Sequence, residues 1–134
     1  MKFINVISVS DGSEKELELT IKSVRNQKFN FYKHIVIAKK LSKKFKIKNK
    51  SRKIIFIVGK DKSIYNAMNI GEKISFKKHT IYLNSGDVFY SNKTLRTISS
   101  KITKTKNLNI QFLIFLKFNK ILFYPKKKYF YNVH

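Results

Sequence analysis

The sequence predicts an α/β domain: a mostly parallel sheet flanked by helices, with a C-terminal β-hairpin. Three observations lead there. Short apolar, β-branched runs alternate with stretches of helical periodicity. Small polar residues close several of the runs. Near the end, two apolar segments flank Lys117 to Lys120, the layout of a hairpin.

Taken in order, Phe3 to Val9 reads as a buried strand, broken by Asp11-Gly12-Ser13. Ser13 and Glu16 have the spacing of a capping box. Leu17, Thr20, Ile21 and Val24 then mark one helical face, running to about Asn26. His34 to Ala38 is a second strand, and Lys39 to Lys53 is a basic connector of undefined structure. Ile54 to Val58 is a third strand, closed by Gly59. Asp61 or Ser63 is placed to cap the next helix. Its expected buried stripe is Ile64, Ala67, Met68, Gly71 and Ile74. Thr80 to Leu83 is a fourth strand, followed by the turn Asn84 to Asp87. Leu95, Ile98 and Ile102 predict a helix from about Lys93 to Thr103, and Ile110 to Leu116 and Ile121 to Tyr124 form the hairpin. A chain of 134 residues is expected to be one domain.

Composition narrows the chemistry. There is no cysteine, so disulfides and thiolate metal sites are excluded. His34, His79 and His134 lie far apart and lack ligand spacing. No apolar run reaches the roughly 18 residues of a membrane span, and Met1-Lys2 leads straight into a strand without a signal-peptide layout. A cytoplasmic protein, soluble or peripheral to the inner face of the membrane, is the expectation. Thirty Lys and Arg against seven Asp and Glu give a net charge of +23. That charge fits an anionic bilayer, phosphate neutralisation on nucleic acid, or plain compositional drift in a chain rich in Lys, Ile, Asn and Phe. Nucleic acid is the least favoured, because no RRM, zinc-finger or KH signature is present.

Two stretches carry candidate chemistry. Asp61 to Gly71 places an acid and two amides, Asn66 and Asn69, at the start of an amphipathic helix. Leu83-Asn84-Ser85-Gly86-Asp87 places a carboxylate in a tight turn after a strand. Ligands of open α/β sheets bind beyond the carboxyl ends of the strands, where the loops Ser10 to Ser13, Lys60 to Ser63 and Asn84 to Asp87 should meet. Mg²⁺ or Mn²⁺ takes oxygen ligands and fills its shell with phosphates and water. One Asp in such a turn suits that work. Taken alone, each stretch is also ordinary turn or cap chemistry; their pairing, with a strand between, favours a site.

The two stretches resemble family 2 glycosyltransferases of the GT-A fold, particularly the colanic-acid and surface-polysaccharide branch. Residues 61 to 71 match the branch pattern of Asp, any residue, a small residue, Ile-Tyr, Asp or Asn, Ala-Met-Asn, any residue, Gly. Leu83 to Asp87 matches its element of Leu-Asn, Ser or Ala, then Gly-Asp, which stands in for the DXD-type metal motif. Thr20-Ile21-Lys22-Ser23-Val24-Arg25-Asn26-Gln27-Lys28-Phe29 is similar to the family's first-helix pattern of Thr, Ile, Ser, Val and Gln. The likeness covers roughly residues 3 to 91.

The resemblance implies inverting transfer of a sugar from a nucleotide donor to a hydroxyl acceptor, in surface polysaccharide or glycan synthesis. It implies a donor site of Ser10, Asp11, Asp61, Asn66, Asn69, Asn84 and Ser85, with Asp87 binding Mg²⁺ or Mn²⁺. The acceptor would be a glycan or a lipid-linked species, with peripheral membrane contact through the basic surface. It divides the chain into a donor-binding core, 1–91, and a C-terminal part, 92–134, shortened relative to the family. Two departures stand out. Ala38-Lys39-Lys40 replaces the Asp that contacts the base after the second strand, and no Asp or Glu follows Asp87. No general base is identified. The alternative is a non-catalytic remnant or nucleotide-sugar-binding module.

Overall fold

The computed structural model describes residues 2–60, 62–75, 79–104, 113–117 and 120–124. Four strands, β1 (Ile4–Ser10), β2 (Tyr32–Ala38), β3 (Ile54–Val58) and β4 (Thr80–Tyr82), form one parallel sheet in the order β3-β2-β1-β4. The α/β expectation holds. The helices are α1 (Glu14–Arg25), α2 (Lys43–Lys48), α3 (Ile64–Ile74) and α4 (Thr94–Lys104). An antiparallel hairpin of β5 (Leu113–Lys117) and β6 (Lys120–Tyr124) stands as its own two-stranded sheet, as predicted.

Strand alternation assigns the two faces. On one face, Ile4, Val6, Val36, Ile54, Phe56 and Leu83 meet Leu17, Ile21 and Val24 of α1, Phe45 of α2 and Leu95 of α4. On the other, Ile7, Val9, Ile35 and Ile37 meet Ala67 and Met68 of α3. The sheet is therefore the middle of three layers. It is apolar on both sides, which is why its strands read as continuous apolar runs and not as alternating ones.

The order of strands positions the site. From β1 the chain moves outward through β2 to β3, then returns to the other side of β1 as β4. The crevice between the carboxyl ends of β1 and β4 is thus the topological switch point, where such sheets bind ligands.

Three local expectations are corrected. Ser13 is the N-cap of α1, but its hydroxyl makes no capping bond. The Asp11 carboxylate instead accepts from the Ser13 N–H at 3.0 Å, a local Asx turn that competes with a cap. The basic connector contains α2, capped by Ser42, whose hydroxyl accepts from the Phe45 N–H at 3.1 Å. The stripe of α3 is narrower than predicted. Ala67 and Gly71 are buried, whereas Ile64 and Ile74 are 48% and 41% exposed. Gly71 explains the difference. A Cβ there would lie 2.8 Å from Ile7 Cγ2 and 2.9 Å from Ile37 Cδ1, so the helix approaches the sheet most closely at Gly71. Ile64 and Ile74, near the helix ends, lie away from that contact.

Candidate functional site

The turn 84–87 is built by hydrogen bonds from two directions. β4 extends alongside β1, with the Leu83 N–H donating to the Ile7 carbonyl at 2.9 Å and the Ser85 N–H to the Val9 carbonyl at 3.0 Å. Asn84 and Ser85 are thereby set beside Ser10, the last residue of β1. The Asp87 N–H closes the turn on the Asn84 carbonyl at 2.9 Å. Gly86 has φ of 93°, a conformation costly for any residue with a side chain.

Thr20 of α1 holds the turn from the other side. Its hydroxyl donates to the Asp87 carbonyl at 2.8 Å, with the Asn84 carbonyl a longer acceptor at 3.3 Å. It accepts from the Gly86 N–H at 2.9 Å. The Glu16 carboxylate, one turn earlier on α1, lies against the same turn; a Cβ on Gly86 would sit 3.8 Å from its Oε2. Neither residue was among the predicted site positions. Thr20 carried a signal, being a polar residue on the apolar stripe of its helix; Glu16 carried none, since its spacing from Ser13 pointed to a cap.

A buried pair supports Leu83 from beneath. Ser8 Oγ donates to the Leu83 carbonyl and lies 2.8 Å from His34 Nε2. With its one proton committed to Leu83, Ser8 must accept from His34, so Nε2 carries the imidazole proton. Burial, then the nearby Arg25 charge, lowers the His34 pKa to about 3. His34 is accordingly a neutral structural donor.

Ser10 and Asp11, at the end of β1, adjoin this turn, whereas Asn66 and Asn69 lie on α3, which follows β3. Ser10 is buried and its hydroxyl accepts from the Gly12 N–H at 3.1 Å, while Asp11 is exposed. Lys40, which follows β2 where an acid was expected, lies over the same loop: a Cβ on Gly12 would sit 2.9 Å from Lys40 Cγ. Ser63 caps α3, its hydroxyl accepting from the Asn66 N–H at 3.1 Å. Asn66 returns the favour through Oδ1, which accepts from the Lys62 N–H at 3.0 Å. That oxygen serves the loop, leaving the amide NH₂ as the group Asn66 offers outward. Asn69 is exposed on α3. Asp61 lies outside the described residues.

Two atoms mark the turn as unfinished. Asn84 Oδ1 and Ser85 Oγ are buried with no hydrogen-bond partner among the described residues. Each such atom costs about 1–3 kcal/mol, a cost that a bound polar group would offset. With the half-buried Asp87 and the Glu16 carboxylate, the turn presents oxygen donors alone. Among the described residues no group of three or more His, Cys, Asp or Glu is placed to hold a metal.

Comparison with solved structures decides the fold type. The chain superposes on S. aureus TarS 1-349 in complex with UDP with a TM-score of 0.63 and 19% identity, over 77% of this chain and 32% of that one. A second TarS structure gives 0.61 and 17%, over 78% of this chain and 20% of that one. TarS 1-349 gives 0.60 and 17%, over 77% and 33%. The fold is of the GT-A glycosyltransferase type. The chain spans a third or less of the length of these neighbours. It matches no protein-family model and no curated protein. Among the described residues no helix is long and apolar enough to cross a membrane.

Proposed function

We propose that the chain binds a nucleotide-sugar donor at the β1–β4 switch point and serves sugar transfer to a hydroxyl acceptor. The observation that carries this reading is the unfinished turn. Asn84 Oδ1 and Ser85 Oγ have no partner among the described residues, at the crevice where a GT-A sheet takes its ligand. The likeness to TarS, crystallised with UDP, supports a nucleoside diphosphate as the recognised moiety.

In this reading Asn84 and Ser85 orient the ribose, the sugar or a metal-bound water. Ser10 and Asp11 line the nucleotide side, with Asp61, Asn66 and Asn69 along the start of α3. Lys40, over the first loop, meets phosphate where other transferases of this type present an acid to the base. Mg²⁺ or Mn²⁺ fits the all-oxygen donor set, with Asp87 as its protein ligand and the diphosphate and water completing the shell. Such an ion supplies Lewis-acid stabilisation of the leaving diphosphate. The acceptor is a glycan or lipid-linked hydroxyl of a surface polysaccharide, and the basic surface draws the chain to an anionic bilayer. Residues 1–91 form the donor-binding core.

The alternative reading is binding of the nucleotide sugar without turnover.

Calorimetry with UDP tests the site. Binding is expected to strengthen with Mn²⁺, and Asp87→Ala should abolish the metal-dependent part. Equal binding with and without Mn²⁺ would overturn the assignment. Release of sugar from a donor, measured on the same protein, separates the two readings.

A further inference from the structure

At the opposite end of the sheet, away from the donor crevice, lies a cavity of about 300 Å³ between the last turn of α1 and the starts of β2 and β3. Three cations border it: Arg25, Arg52 and Lys53. None has a carboxylate partner among the described residues. Arg25 reaches only the carbonyl and side-chain oxygens of Asn49, at 3.4 and 3.5 Å. Lys53 donates to Asn30 Oδ1 at 2.8 Å and lies 4.8 Å from the centre of the Tyr32 ring. The Arg52 guanidinium makes no hydrogen bond among the described residues, although its carbonyl accepts from Lys33 Nζ at 2.7 Å. The acid on the neighbouring turn, Glu18, is already taken by Lys48 at 3.3 Å and by Asn49 Nδ2 at 3.0 Å.

The remaining lining is suited to an ester and not only to a bare ion. Ile21, Val24 and Ile54 give an apolar wall. The Tyr32 side chain lines the cavity and its O–H has no acceptor among the described residues. His34, which also borders the cavity, spends its Nε2 proton on Ser8 and so keeps Nδ1 as an acceptor. The carboxyl end of α1 opposes an anion with a partial charge of only about −0.5, against three full positive charges.

We propose that this cavity is a second site, for a phosphate-bearing ligand, with Arg25, Arg52 and Lys53 gripping the phosphoryl oxygens and Tyr32 donating to one of them. Arginine's fork suits phosphate by geometry as well as charge. The volume equals that of roughly ten waters, room for a phosphoryl group with a short organic tail. The site is separate from the donor crevice and does not depend on it.

The test is a titration of the full chain with inorganic phosphate, followed by backbone amide shifts in NMR. Saturable shifts are expected at Arg52, Lys53 and Ile54, while the amides of residues 83–87 report the donor end separately. R25Q/R52Q should weaken phosphate binding at these amides by about tenfold or more. K43Q/K44Q, which removes the same charge from α2, should change it by less than about threefold. R52Q alone serves as the structurally milder variant, because that guanidinium holds nothing else in place. Equal weakening in both double variants would show diffuse attraction to a basic protein and overturn the proposal. So would shifts spread evenly over the basic surface. Glycerol phosphate and phosphatidylcholine vesicles with and without phosphatidic acid identify the source. Displacement from phosphatidic-acid vesicles by inorganic phosphate, lost in R25Q/R52Q, marks a lipid headgroup; glycerol phosphate binding without that displacement marks a soluble ester.

Discussion

The Thr20 hydroxyl reaches across 67 positions of sequence to the Asp87 carbonyl, at 2.8 Å. It also receives the Gly86 N–H at 2.9 Å. One buried side chain on the first helix thereby fixes the backbone on both sides of Gly86. The position of the Asp87 carboxylate depends on that anchor.

Thr20→Val keeps the volume and removes the anchor. The Gly86 N–H and Asp87 carbonyl lose a partner in a partly buried place, for a loss of about 1–3 kcal/mol. Denaturant unfolding should show the midpoint falling with the slope unchanged. UDP affinity should fall with it, although Thr20 is placed as a positioning residue and not as a ligand contact. Thr20→Ser, which retains the hydroxyl, should recover the affinity.

Gly71→Ala sets two effects against each other. Alanine favours a helix interior over glycine by about 0.5–1 kcal/mol. The new Cβ would lie 2.8 Å from Ile7 Cγ2 and 2.9 Å from Ile37 Cδ1. Both isoleucines are fully buried, and the β-branched Ile7 Cγ2 cannot swing aside without a change of rotamer. Overpacking of that kind costs about 1–3 kcal/mol, so overpacking wins. A lower melting temperature is expected, and a stabilised variant would show that α3 stands further from the sheet.

His34 makes stability depend on pH. Its folded pKa is about 3, against 6.5 for the ordinary side chain. Between those values the unfolded chain binds a proton that the folded chain does not. Its contribution is therefore complete above pH 6.5 and is lost progressively as pH falls towards 3. Glu14 and Glu18 act in the same direction, since both are held below their ordinary 4.5, but they matter only at lower pH. From pH 6 to 5 the unfolding free energy should fall with a slope approaching about 1.4 kcal/mol per pH unit. His34→Gln, which keeps an N–H donor, should flatten it in that interval. A wild-type curve flat over the same interval would refute a buried neutral His34.

Ser63→Ala removes the cap of α3. The Asn66 N–H loses its acceptor at 3.1 Å, for a cost of about 1 kcal/mol. Amide exchange should quicken in the first turn of α3 and leave β1 and β2 unchanged.

Much of the fold was legible because each element satisfies a local rule. β1 and β2 are buried on both faces, and β3, at the sheet edge, is apolar though only partly buried, so all three read as apolar runs with bounds recovered to within a few residues. The hairpin was legible from two apolar segments and a polar centre. α2 was not, because a six-residue helix has too few apolar positions to show a period; Phe45 alone buries. The stripe of α3 was drawn too wide, since periodicity reports which residues share a face and not how closely that face approaches its partner. The candidate site was drawn from two motifs, and the structure adds that the Asn66 side chain is partly committed to its own loop.

The sequence by itself determined the alternation of strands and helices, the apolar faces and the residues of the 84–87 turn. These depend on neighbours a few positions apart, where periodicity and turn chemistry act. Only the tertiary structure decided that β4 returns beside β1, creating a switch point. It alone set Thr20 and Glu16 against the turn, left Asn84 Oδ1 and Ser85 Oγ without a partner among the described residues, and gathered Arg25, Arg52 and Lys53 around one cavity. The physical reason is sequence distance. Contacts between residues 25 to 70 positions apart leave no periodic trace, and a charge pattern along the chain does not say which charges the fold brings together.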